Sequence, residues 1–118
     1  MNTRIRYQYR DAANYKSPGS VIVSGAISFD QVLRLQAALD GGRHFIAHQL
    51  GLPECFPWRD GAVDEELDHC FHEFCCVELV MDRPTDGRTV VELVTAFERI
   101  GPSGWEAFDP VESLGELA

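Results

Sequence analysis

The chain reads as a small α+β domain, an antiparallel sheet of about four strands covered on one face by two helices, in the order strand, strand, helix, strand, strand, helix. Three observations predict this. Alternating apolar and polar residues open the chain and recur near its middle, two helical stripes each follow a capping box, and no repeat of roughly 20–50 residues or strand–helix–strand rhythm points to a parallel sheet. At 118 residues the chain fits one domain over 1–118, with the end beyond about residue 110 expected to fray.

Ile5, Tyr7 and Tyr9 alternate with Arg4, Arg6, Gln8 and Arg10, which puts the apolar side chains on one face of a strand and the cations on the other. Asp11 to Ser20 reads as a connection, with Ser17-Pro18-Gly19-Ser20 matching a type II turn. Val21-Ile22-Val23 then resumes β structure, and the two strands are expected to pair as an antiparallel hairpin with a long loop.

Ser28 and Gln31 form a capping box in front of a helix over 29–39 whose apolar stripe is Phe29, Val32, Leu35, Ala38 and Leu39, ended by Gly41-Gly42. Phe45 and Ile46 can form a brief third strand. Leu50 to Trp58 carries two prolines and reads as a loop packed down through Leu52, Phe56 and Trp58. The stretch 64–81 fits both periodicities in part, and the reading is a short helix over roughly 64–70 passing into a strand over roughly 72–81. A loop with Pro84 and Gly87 follows. Thr89 and Glu92 cap a second helix with Val90, Val91, Val94, Phe97 and Ile100 as its buried stripe, closed by Gly101-Pro102. Trp105 and Phe108 are expected to dock on the domain.

The net charge is −9 and is unevenly spread. Arg4, Arg6, Arg10 and Lys16 face only Asp11 in the first 16 residues, whereas Asp60 to Asp82 holds eight carboxylates and no Lys or Arg. Such a surface repels a phosphate backbone or an anionic membrane, so nucleic acid and membrane partners are disfavoured. No apolar run approaches the ~20 residues of a membrane span or resembles a signal peptide, which predicts a cytoplasmic protein with Cys55, Cys70, Cys75 and Cys76 as reduced thiols.

The segment Tyr9-Arg10-Asp11-Ala12-Ala13-Asn14-Tyr15-Lys16, with Phe45-Ile46-Ala47-His48-Gln49 and Asp68-His69-Cys70-Phe71-His72-Glu73-Phe74, resembles a family of short uncharacterised bacterial proteins. The resemblance spans most of the chain. It implies a bacterial origin and a cytoplasmic single domain, and brings no activity with it.

Chemistry concentrates between Asp68 and Cys76. His69, His72 and Glu73 are the candidate metal ligands, with Asp68 as a further carboxylate and a cysteine as a possible thiolate donor to a zinc-like divalent transition metal. The spacing lacks the His-Glu-x-x-His pattern of zinc proteases and any Cys-x-x-Cys pair. The plainer alternative is a cysteine-rich core flanked by half-exposed histidines, and it is favoured. Cysteine catalysis is weaker, because the surrounding carboxylates oppose thiolate formation. The first functional reading is therefore a non-enzymatic acidic binding or protein-interaction domain without a cofactor, either self-associating or meeting a protein partner. The alternative is a metal-binding protein or metal-dependent hydrolase using His69 and His72.

Overall fold

The computed structural model describes residues 1–56, 63 and 68–110, and shows the α+β architecture that the patterning predicts. Four antiparallel strands, β1 (Asn2–Arg10), β2 (Lys16–Val23), β3 (His44–Phe45) and β4 (His72–Val80), form one sheet in the order β2-β1-β4-β3. Helices α1 (Phe29–Ala37) and α2 (Val90–Ser103) supply its buried cover, and a turn of 3-10 helix spans Ala47–Leu50. The main core joins Ile5, Tyr7, Val21, Val23, Leu35, Phe45, Leu93 and Phe97. The short helix expected over 64–70 falls largely outside the described residues, as does Trp58, and the strand that follows it matches its expected bounds to within one residue.

The hairpin between β1 and β2 is tighter than its sequence suggests. Ser17-Pro18-Gly19-Ser20 is not a turn but part of β2, with Pro18 opposite Gln8 and Gly19 opposite Tyr7. The reversal lies at Asp11–Tyr15. There the Asn14 N–H donates to the Asp11 carbonyl at 3.0 Å, the Tyr15 N–H donates to Asp11 Oδ1 at 2.9 Å, and Asn14 takes a left-handed φ of 72° that asparagine tolerates. Pro18 survives in a strand because β2 is the edge of the sheet, where a missing N–H costs no ladder bond. Gly19 leaves room for a neighbour: a Cβ there would displace the Cys55 thiol, which packs against it from the 53–56 loop.

Both capping boxes form as read, Ser28 with Gln31 and Thr89 with Glu92. The buried stripes differ from the expected ones, and in α1 Val32 is only half-buried. Phe29 is 78% exposed and α1 buries Leu35, with Ala38 and Leu39 just past its end; Val91 is 61% exposed and Leu93 takes its place against the sheet. The two helices also pack against each other. Gly101 lies against the Ala38 backbone, with no room for a Cβ, and sets that approach. Nor does Gly101-Pro102 end α2. The helix runs on through Pro102, whose fixed φ is helical, to Ser103, and Gly104 makes the cap at φ 98°. Trp105 and Phe108 dock as expected: Trp105 Nε1 donates to the Ala38 carbonyl at 3.1 Å, and the Phe108 ring packs on Phe56 and His48.

Candidate functional site

The side chains of β1 alternate across the sheet and create two different environments. On the helix side, Tyr7 and Tyr9 are too large and polar to be buried without partners for their hydroxyls. Tyr7 OH donates to the Pro53 carbonyl at 2.6 Å, and Tyr9 OH donates to Asp68 Oδ1 at 2.7 Å while accepting the His69 N–H at 3.1 Å. Burial raises both phenols above their ordinary range, helped for Tyr7 by nearby Cys55 and for Tyr9 by the Asp68 contact. The two rings thus tie the 53–56 and 68–69 segments to the end of the sheet.

His72 sits between them. It is fully buried, with ring centroids of Phe56, Tyr9, Tyr7 and Phe45 at 4.7, 5.9, 6.0 and 6.1 Å. It joins the main core to a second cluster of Tyr9 and Phe56 backed by Phe108. His72 Nε2 accepts the Cys55 N–H at 2.8 Å, so the ring proton belongs on Nδ1, which finds no acceptor among the described residues. Burial, with a smaller contribution from the neighbouring His69 ring, lowers its pKa to about 4, and the imidazole is neutral. His69 is engaged at both nitrogens: Nδ1 accepts the Phe71 N–H at 3.0 Å and Nε2 lies 2.6 Å from the Arg10 carbonyl, to which it donates. The expectation of half-exposed histidines holds for His69, which is half-buried and fastens a loop, and is corrected for His72, which fills the core.

Glu73 is on the opposite face. Its side chain is 8% exposed, accepts from Gln8 Nε2 at 2.8 Å and Arg10 Nε at 3.1 Å, and has Arg43 and His44 at 3.9 and 3.7 Å. Burial alone would push the carboxyl up, but Gln8, Arg10 and Arg43 together outweigh it and hold Glu73 below the usual carboxylate range. The structure therefore brings His69 and His72 to one ring, Tyr9, and sends Glu73 across the sheet from them. A metal held by all three would require His69 to release both backbone bonds and Glu73 to leave its cations. Among the described residues no group of three or more His, Cys, Asp or Glu is arranged to hold an ion.

The cysteine-rich core is also corrected. Cys70 is buried, where its thiol is pushed up by desolvation and accepts the Phe108 N–H at 3.4 Å, but Cys75 and Cys76 are exposed. On the open face, Arg4 pairs with Asp82 at 3.2 Å, Arg6 with Glu78, and Arg10 with Glu73. The period-2 pattern of β1 shows which face the arginines take. It does not show that the carboxylates opposite them come from β4 and the residues just past its end, because that depends on a strand pairing of β1 with β4, some 65 residues or more apart, which sequence alone does not specify.

No family model matches the chain, and no curated protein or solved structure is similar to it. Among the described residues, no helix is long and apolar enough to cross a membrane.

Proposed function

We propose that the protein is a non-enzymatic, acidic protein-interaction domain whose partner presents a basic surface. One observation carries the reading. Arg4, Arg6, Arg10, Arg34, Arg43 and Arg88 are each paired with a carboxylate of the same chain, so most of the few cations are neutralised internally and the excess of 19 acids over 10 bases is left to the surroundings. A field of that sign speeds encounter with a basic protein and repels nucleic acid. Self-association is less well supported, because Arg4, Arg6 and Arg10, which a second copy's acids would have to meet, are engaged within their own chain.

Titration with a lysine-rich peptide, followed by calorimetry, tests the reading. Saturable binding at one peptide per chain, weakened by salt and lost when the lysines are replaced by glutamine, is the expected outcome. Equal binding of the glutamine peptide, or no saturation at low salt, would overturn it. Size-exclusion with light scattering at low and high salt checks self-association separately, and a monomer under both conditions is expected.

A further inference from the structure

β4 departs from regular pairing once. Tyr7 stands opposite Phe74 and Arg6 opposite Cys76, so Cys75 is the additional residue of a β-bulge. Regular alternation would send adjacent side chains to opposite faces. At a bulge two successive residues share one partner, and here neither thiol enters the core: Cys75 and Cys76 are both exposed. The thiol of Cys75 leans over the Glu73 carbonyl at 3.9 Å, and the charges around it are those of the open face, Glu73, Arg10 and Lys16, together with Cys76 itself. Cysteine is among the residue types most often buried, so two adjacent exposed thiols placed together by a backbone irregularity call for an explanation.

The chemistry available to such a pair is narrow. A disulfide between neighbours is strained, so the two sulfurs do not readily bond to each other. The bulge sets both thiols on the open face, where a soft centre that takes two sulfurs at once can reach them. We propose that Cys75 and Cys76 form a vicinal dithiol site for trivalent arsenicals. With an organic arsenous acid, each of two As–OH bonds is replaced by an As–S bond. The two thiol protons leave with the two hydroxyl groups as two waters, and no electron is transferred. The two thiols are not among the candidate ligands His69, His72 and Glu73, although Cys75 lies beside the Glu73 backbone, and the proposal does not depend on the interaction reading above.

Phenylarsine oxide, which hydrates to such an acid, is the probe. Intact mass spectrometry of the folded, reduced protein should show one arsenical per chain, removable by a small dithiol but not by an equal concentration of a monothiol. Cys75→Ser and Cys76→Ser should each abolish the adduct, whereas Cys55→Ser and Cys70→Ser should keep it. Because both thiols are exposed, the two loss variants should melt within a few degrees of wild type, so their failure to bind is not a failure to fold. The melting temperature of wild type should rise with probe concentration, as a ligand that prefers the folded chain requires. Retention of the adduct in Cys75→Ser or Cys76→Ser, or more than one arsenical per chain, would overturn the proposal. A falling melting temperature would do so as well, because it would mean that the pair binds better without the bulge.

Discussion

His72 and Glu73 are neighbours on β4 and both are buried, yet the fold treats their charges in opposite ways. His72 faces aromatic rings and a single backbone N–H, which leave it neutral; Glu73 faces Gln8, Arg10 and Arg43, which keep it ionised. Burial penalises the charged form of each. What differs is whether hydrogen-bonding and charged partners offset that cost, and the pleat assigns those partners by sending successive residues to different faces.

The comparison breaks most readily on the aromatic side. Removing the imidazole in His72→Ala leaves a cavity among Tyr7, Tyr9, Phe45 and Phe56 and strands the Cys55 N–H, so a loss of about 3 kcal/mol is expected in urea unfolding. A chelator should not change that loss. A cost under about 1 kcal/mol would show that the ring is not what joins the two clusters.

Acid offers nearly as large an effect with the chain intact. The folded pKa of about 4 lies below the ordinary 6.5, so the unfolded chain binds the proton more readily and protonation favours unfolding. The contribution of neutral His72 is thus complete above pH 6.5 and is lost as pH falls toward 4, roughly 3 kcal/mol at about 1.36 kcal/mol per unit. Glu73 runs the same way in a lower window: its depressed pKa gives stability that is present above its ordinary 4.5 and is lost only as pH drops below it. His44, also lowered by burial, shares the upper window, so the measurement is a difference between two proteins. His72→Gln should flatten the stability curve between pH 6.5 and 4.5 and leave the decline below 4.5. An unchanged slope in the upper window would assign the acid sensitivity to another group.

How much of this contrast was legible in the sequence follows from the range over which each feature is decided. The capping boxes of Ser28 and Thr89 and the alternation of β1 depend on residues within a few positions, and they formed as read. The turn was misplaced because Pro18-Gly19 is a stronger punctuation mark than Asp11…Asn14, although the latter supplies the side-chain acceptor and the left-handed residue that the hairpin uses. The exposed cysteines were hidden by a single-residue bulge, which no periodicity reports. Burial of His72 was hidden differently. An imidazole is read as half-exposed until its neighbours are known, and those neighbours, Tyr7, Tyr9, Phe45 and Phe56, come from three separate segments.

On the charged side the effects should be smaller. Glu73→Gln keeps the shape and removes the ion, leaving Arg10, whose side chain is 37% exposed, free to recover water. We expect a loss of about 1.5–2 kcal/mol, the low end for a hydrogen bond to a charged group because Arg10 recovers water, with the decline below pH 4.5 reduced in acid titration. A loss equal to that of His72→Ala would mean that the open face is as dry as the core.

The smallest effect sharpens the comparison within the open face itself. Arg6 and Glu78 form the middle rung of the same ladder, but their side chains are 47% and 39% exposed, so water already solvates both ions when the pair is broken. Glu78→Gln should therefore cost under ~0.5 kcal/mol in urea unfolding, and less at high salt. The contrast with Glu73 is between a buried carboxylate with several partners and a solvated one with a single partner, both on β4 and facing arginines of β1. A double-mutant cycle joining Glu78→Gln to Glu73→Gln should be additive to within about 0.5 kcal/mol. Coupling larger than that would show the arginines of β1 acting as one network, and the protection of Glu73 would then belong to the whole row of cations instead of to Gln8, Arg10 and Arg43.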